Sequence, residues 1–109
     1  MSMEDIGVIR SIPGIVIFEP VDHVQLIKSF PKIIEYPGTM YIRLWRKEIE
    51  PVFAEDYAFD LFKADTVREG TDVTIFATGF MVQESLKACA ELEKEGIHAE
   101  VINIHTIKP

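Results

Sequence analysis

The chain has 109 residues, 48% of them hydrophobic, with 18 acidic against 11 basic side chains and a formal net charge of −7. That length supports one small core, and that apolar content excludes a disordered chain. The acidic balance repels polyphosphate backbones and argues against nucleic-acid binding, and no apolar run approaches the ~18 residues of a membrane span.

The opening "MSMEDIGVIR" carries Glu4 and Asp5 and no basic region ahead of an apolar core. It does not read as a signal peptide, so the cytoplasm is the expected location. Ser2 is placed to cap a short helix running to about Ile12, with acids in its first turn and Ile6, Ile9 and Ile12 as an apolar stripe. Pro13-Gly14 ends it, and "IVIF", Ile15 to Phe18, predicts a strand buried on both faces. Asp22 caps the next helix, in which Pro31 removes a backbone donor and is expected to kink or split the helix after Phe30. Pro37-Gly38 turns the chain into a second strand, "MYIRLW", Met40 to Trp45.

From Arg46 to about Gly70 the sequence mixes charge, Pro51 and aromatics. Phe53, Tyr57, Phe59 and Phe62 are too apolar for a free tether, so this linker is expected to be ordered, with one or two short extended pieces. Its length points to a domain boundary. Beyond it, Val73 to Ala77 reads as a strand and Val82 to Glu95 as a helix burying Leu86, Ala90 and Leu92. Gly96 reads as the helix C-cap and Ala99 to Ile104 as a further strand. The fold class is therefore α/β: two parallel β-α-β units joined by an ordered linker.

Chemistry is sparse. The turn at Thr78-Gly79 has one glycine where a dinucleotide fingerprint needs three, and Phe80 and Met81 would meet a phosphate with bulk. Gly79 is read as a backbone corner. No phosphate loop, metal-binding helix or cysteine cluster is present in the sequence. The lone Cys89, between two alanines, reads as a packing residue. His23, His98 and His105 have no second ligand in sequence and are expected in surface or capping roles. Arg43 and Arg46 stand near a strand's C-terminal end, where open α/β sheets place ligands, and arginine clamps anions bidentately.

Four stretches in order, "SMEDIGVIRSIPGIVIFEPVD", "GTMYIRLWRK", the acidic aromatic linker and "VREGTDVTIFATGFMVQESLKACAELEKEGIHAEVINIHTIKP", resemble the transketolase family across essentially the whole chain. The ending "VINIHTIKP" is especially similar to split transketolases, which are divided into N- and C-terminal subunits. The resemblance implies that residues 1–46 are the C-terminal part of a pyrimidine-binding domain. Residues 47–70 would be a linker, and residues 71–109 the N-terminal part of a transketolase C-terminal domain.

The resemblance also implies two-carbon ketol transfer between sugar phosphates, with thiamine diphosphate and Mg²⁺ as cofactors of the complete enzyme. In the family, the metal motif, the cofactor-activating glutamate and a substrate-contacting histidine lie upstream of the stretch matched here, and Glu4 is not that glutamate. The isolated chain is accordingly expected to bind no cofactor, to be inactive alone, and to work with an N-terminal transketolase subunit or the remainder of the enzyme. Self-association is a further expectation, since two partial sheets leave open edges. One site residue carries over: Arg46, matching the family arginine that contacts the substrate's phosphate, with Trp45 in place of the usual small neighbour. Deoxyxylulose-phosphate synthase, the β subunit of a 2-oxoacid dehydrogenase and a non-catalytic association module remain alternatives.

Overall fold

The computed structural model describes residues 3–109. The proposed Ser2 cap lies outside them. The first helix, α1, is short, Asp5–Ile9, and Ile12 is 49% exposed, so the expected apolar stripe is not its buried face. What α1 buries is Asp5.

β1 (Val16–Phe18) is buried throughout, as its unbroken β-branched and aromatic run requires. α2 (His23–Glu35) starts where Asp22 accepts a 2.7 Å hydrogen bond from the Gln25 amide. It runs through Pro31 without splitting, which corrects the split that the sequence allowed as an alternative to a kink. Pro31 lies on the exposed side of the helix with Ile27 and Lys28, so water can satisfy the carbonyl that it deprives of a donor. β2 (Met40–Ile42) is half the length expected, and the chain leaves the sheet at Arg43. β1 and β2 pair in parallel, Val16 with Met40 and Phe18 with Ile42.

The linker is ordered, and its last piece is a strand, β3 (Asp65–Arg68). β4 (Val73–Ala77) feeds α3 (Phe80–Lys94), and β5 (Ala99–Asn103) returns parallel to β4 over five residue pairs. Gly96, at φ 78°, ends α3: its amide and that of Ile97 turn back to the Glu93 and Leu92 carbonyls, each at 3.0 Å. Only a residue tolerant of the left-handed region makes this cap cheaply. Ala90, expected to be buried, is exposed; Val82, Gln83, Ser85 and Cys89 face inward instead. The apolar core collects Val21, Ala77, Val82, Cys89, Ala99 and Val101.

Both β-α-β units are present as read from the sequence, and each gains an antiparallel strand. β3 adds to β5, and a final strand, β6 (Thr106–Lys108), adds to β1. The sheets are ordered β2-β1-β6 and β3-β5-β4. Because β6 follows β5 almost directly, the second unit donates a strand to the first, and the Glu19 amide bonds the His105 carbonyl at 2.8 Å. Among the described residues no helix is long and apolar enough to cross a membrane.

Candidate functional site

Parallel pairing of β1 and β2 brings their C-terminal ends together: the Arg43 amide donates to the Phe18 carbonyl at 2.9 Å. Glu19 and Arg43 therefore leave the sheet side by side. Glu19 is 1% exposed, yet its carboxylate is fully engaged. One oxygen accepts from Arg43 Nη1 at 3.0 Å and from Trp45 Nε1 at 2.5 Å, and the other accepts from the Thr78 hydroxyl at 3.1 Å. A buried carboxylate persists only with this degree of hydrogen bonding. The Arg43 guanidinium also donates from Nε to Asp5 at 3.0 Å and lies 5.2 Å from the centre of the Trp45 ring. Its charge is thus held by two carboxylates and an aromatic face.

Asp5 also accepts from the Tyr41 hydroxyl at 2.9 Å. That bond, aided by Arg43 and opposed by burial, holds the Asp5 carboxyl below its ordinary pKa, and the same contact raises that of Tyr41. Burial works against the Arg43 charge, but Glu19 and Asp5 outweigh it and raise the Arg43 pKa. The second Asp5 oxygen, Oδ1, is buried and has no hydrogen-bond partner among the described residues.

These groups form one wall of a cleft of about 560 Å³ whose lining includes Asp5, Tyr41, Arg43, Trp45 and Arg46. Arg46 is exposed and makes no salt bridge or side-chain hydrogen bond among the described residues. The two arginines singled out in the sequence are therefore brought to one cleft in different states, Arg43 neutralised and Arg46 available. Trp45 is clamped by Glu19, by Arg43 and by Phe80, whose ring centre is 5.9 Å away.

The β4–α3 corner abuts the same cluster. Gly79 sits at φ 53°, and a Cβ there would come within 2.5 Å of Trp45 Nε1 and 2.7 Å of Glu19 Oε1. The glycine is required by this close approach and by the backbone angle. A phosphate at this corner would face a buried carboxylate and an indole, so the corner holds packing and not a ligand.

A second buried polar cluster lies behind the first. Gln25, 0% exposed, uses its whole amide: Oε1 accepts from the Val21 amide at 2.9 Å and from Asn103 at 3.3 Å. Its Nε2 donates to the Tyr57 hydroxyl and to Asp65, each at 3.0 Å. Tyr57 donates onward to Asp65 at 2.8 Å. Burial raises the pKa of Tyr57, and burial likewise raises that of Asp65.

The structure corrects one histidine. His23 and His98 are exposed, His98 beside Glu93 at 3.0 Å. His105 is 1% exposed, set against Phe18 and Phe59, with Nε2 2.8 Å from the Lys63 carbonyl and Nδ1 2.9 Å from the Thr106 hydroxyl. Burial lowers its pKa. The signal was present: Ala99, Val101, Asn103 and His105 continue one buried alternation past the end of the strand. Asp5 and Glu19 are the site residues that the sequence did not single out. Glu19 directly follows a buried apolar run at a strand's C-terminal end, which is the one cue it offered.

Among the described residues no group of three or more His, Cys, Asp or Glu side chains is arranged to hold a metal ion. With the glycine corner filled by Trp45 and Glu19, these residues do not fit a metal-bound pyrophosphate.

Comparison with known proteins agrees with this architecture. The transketolase C-terminal domain profile matches residues 62–109. A 6-deoxy-6-sulfo-D-fructose transketolase subunit from Clostridium sp. (strain MSTE9) is 51% identical over 109 residues, which is 100% of this chain and 34% of that protein. The β subunit of the pyruvate dehydrogenase E1 component from Bacillus subtilis (strain 168) is 49% identical over 69 residues, 63% of this chain and 21% of its own length. Among solved structures, a split-gene transketolase described as an inactive β4 tetramer superposes with a TM-score of 0.95 at 37% identity, covering 100% of this chain and 36% of that one. The chain thus spans about a third of the length of its transketolase relatives. With two β-α-β units, their linker and the crossed-over β6 strand all reproduced at that similarity, the chain belongs to the transketolase family.

Proposed function

We propose that this chain is the junction segment of a ketol-transferring enzyme and that Arg46 holds the anionic terminus of its sugar substrate. The observation that carries this reading is the difference between the two arginines of one cleft: Arg43 is matched by Asp5 and Glu19, while Arg46 has no partner among the described residues. A partner-free guanidinium on a concave surface at the C-terminal end of parallel strands is placed to take an anion. The family resemblance supplies a sugar phosphate as that anion, and the name of the Clostridium relative supplies a sulfonated sugar. In this reading residues 1–46 belong to the pyrimidine-binding domain, 47–70 to the linker and 71–109 to the C-terminal domain. The profile match beginning at residue 62, inside the linker, supports the last of these.

Thiamine diphosphate, which the family generally uses, would supply carbanion stabilisation when bound with Mg²⁺ by residues other than those described. Arg46 orients the substrate tail, Trp45 shapes the wall beside it, and Glu19 fixes Trp45. The segment works with an N-terminal subunit or the rest of the enzyme in the cytoplasm, and it self-associates. The tetramer of the split-gene relative supports the last point. The test is a coupled ketol-transfer assay with thiamine diphosphate and Mg²⁺. The chain alone should give no turnover. A complete enzyme carrying this segment should turn over, with Arg46→Ala raising KM at least tenfold, roughly the loss of one charge-assisted anion contact. An unchanged KM would remove Arg46 from the site.

A second reading, part of a 2-oxoacid dehydrogenase β subunit, has one observation in its favour: the 49% identity to the Bacillus subtilis pyruvate dehydrogenase subunit. It covers 63% of this chain, against the whole chain for the Clostridium transketolase subunit. Pyruvate decarboxylation in place of ketol transfer by the complete enzyme would establish it.

A further inference from the structure

We infer that the outer face of α2 is a self-association surface, on which a second copy of this chain lays its own α2 antiparallel across a two-fold axis. This deepens the self-association reading above and rests on it.

Spacing and exposure define the face. His23, Ile27, Phe30 and Ile34 recur at intervals of four, three and four residues, which puts them on one stripe of a helix. All four are exposed, Ile27 at 61%, Phe30 at 46% and Ile34 at 80%. The opposite side of α2 is the one the fold uses, and there Gln25 and Ser29 are fully buried beside Val24. This helix is therefore apolar where it meets solvent and largely polar where it meets protein, the reverse of an ordinary surface helix. The three exposed apolar side chains present on the order of 400 Å², the size of patch that marks an interaction site. Leu26 and Ile33 lie half-buried along one margin.

The pattern names the occupant. Intervals of four, three and four are those of a coiled-coil seam. In an antiparallel pair Ile27 meets the second copy's Phe30, and His23 meets its Ile34. Each contact is then made twice about the axis, as a self-complementary interface requires.

Charge favours the same face. The chain carries a net −7, so two copies repel unless they meet where acids are scarce. The charged residues of α2 are Lys28, Lys32 and Glu35, with bases in excess, and none stands on the stripe. Other exposed apolar residues lack this setting. Phe76 on β4 shares its sheet face with Glu100, which pairs with Thr74. Met81 opens α3, where Glu84, Glu91 and Glu93 outnumber Lys87 and Lys94. The seam is short: two such faces bury less than the roughly 1,200 Å² at which stable interfaces begin, so association is weak and concentration-dependent.

Analytical ultracentrifugation of the chain across micromolar concentrations measures it. We expect a monomer–dimer equilibrium that tightens with added salt, because screening removes the repulsion between acidic chains and spares the apolar seam. Ile27→Glu or Ile34→Glu puts an acid into the seam at an exposed position and keeps a good helix former there. Each should raise the dissociation constant at least tenfold with no loss of helical circular dichroism. Phe76→Glu should leave the constant unchanged. Cross-linking reads the direction. The native thiol, Cys89, is buried, so a cysteine placed on the stripe is the reactive one. Mixed His23→Cys and Ile34→Cys chains should form disulfide-linked dimers at least tenfold faster than either variant alone.

A dimer indifferent to both glutamate variants, or each cysteine variant linking to itself in preference to the mixture, would overturn the α2 seam and leave self-association standing. A chain that stays monomeric at every concentration would overturn both.

Discussion

The two buried polar clusters sit close together and behave differently. The Gln25 cluster is enclosed: the oxygen and the nitrogen of the amide bond inward to Val21, Asn103, Tyr57 and Asp65, with one Asn103 atom, Oδ1, left without a partner among the described residues. It ties α2, the linker, β3 and β5 into one body. The Glu19 cluster also spans the two units, through Thr78, but one side of it opens onto a cleft. There one guanidinium, Arg46, is left without a partner among the described residues. A buried network enclosed on all sides specifies structure; a network beside an unpartnered charge on an open cleft leaves a group free to meet a ligand. The contrast turns on which mutations cost stability and which cost binding.

The largest stability effect should come from the closed side. Asp22 caps α2 through Gln25, and its other oxygen accepts from the Val52 and Phe53 amides at 2.7 and 2.8 Å. One 4% exposed carboxylate thereby fixes both the helix start and the linker. Asp22→Ala removes a cap and strands two amides, a loss of about 3 kcal/mol in urea unfolding. A loss under about 1 kcal/mol would show that the linker is held by its aromatics alone.

Glu19→Gln should cost less, about 2 kcal/mol, because Arg43 keeps Asp5 and access to water while one buried charge pair is lost. It should also shift the Trp45 emission, since the indole donor loses a charged acceptor. A stability loss without an emission change would mean that Glu19 does not hold Trp45.

A smaller effect is expected from pH. Burial lowers the His105 pKa below its ordinary 6.5. A histidine harder to protonate folded than unfolded stabilises the fold fully above 6.5 and loses that contribution as pH falls toward the lowered folded value. The raised pKa of Asp65 acts oppositely: stability is regained as pH falls through the folded value toward 3.8. As pH falls from 7.5 through the ordinary histidine value, the His105 contribution is the one lost, so the urea midpoint should fall with pH and flatten in His105→Asn. A midpoint that instead rises on acidification would show that the Lys63 carbonyl, the Thr106 hydroxyl and Asp65 favour the imidazolium.

The sequence made the secondary elements legible because their cues are local: β-branched runs for β1 and β4, Asp22 and Gly96 for helix ends. β3 and β6 were not legible, because each exists by pairing with a strand far along the chain, β6 across about ninety residues to β1. Pro31 misled because a proline's cost depends on which face of the helix its lost partner occupies, and that face is fixed by tertiary packing. By residue chemistry alone Arg43 and Arg46 were equal candidates, and only the family resemblance favoured Arg46. Folding supplies the physical difference, since Asp5 and Glu19 reach Arg43 from other elements. His105 was misread as a surface residue because the buried alternation of Ala99, Val101 and Asn103 was stopped at the strand end, although it continues to His105, where Phe18 and Phe59 cover the ring.

The smallest expected stability change belongs to Arg46, and it sharpens the contrast most. Its side chain is exposed and unpartnered among the described residues, so Arg46→Ala should move unfolding by less than about 0.5 kcal/mol. Arg43→Ala should cost clearly more, because it leaves Asp5 and Glu19 without their shared cation. Parallel urea titrations of the two variants decide the point. If Arg46→Ala destabilises the fold as much as Arg43→Ala, Arg46 is structural and is not free to take an anion. If it is neutral in stability yet abolishes the Trp45 fluorescence response to an anionic sugar, the same residue is dispensable for folding and required for binding. That separation is what the closed and open clusters predict.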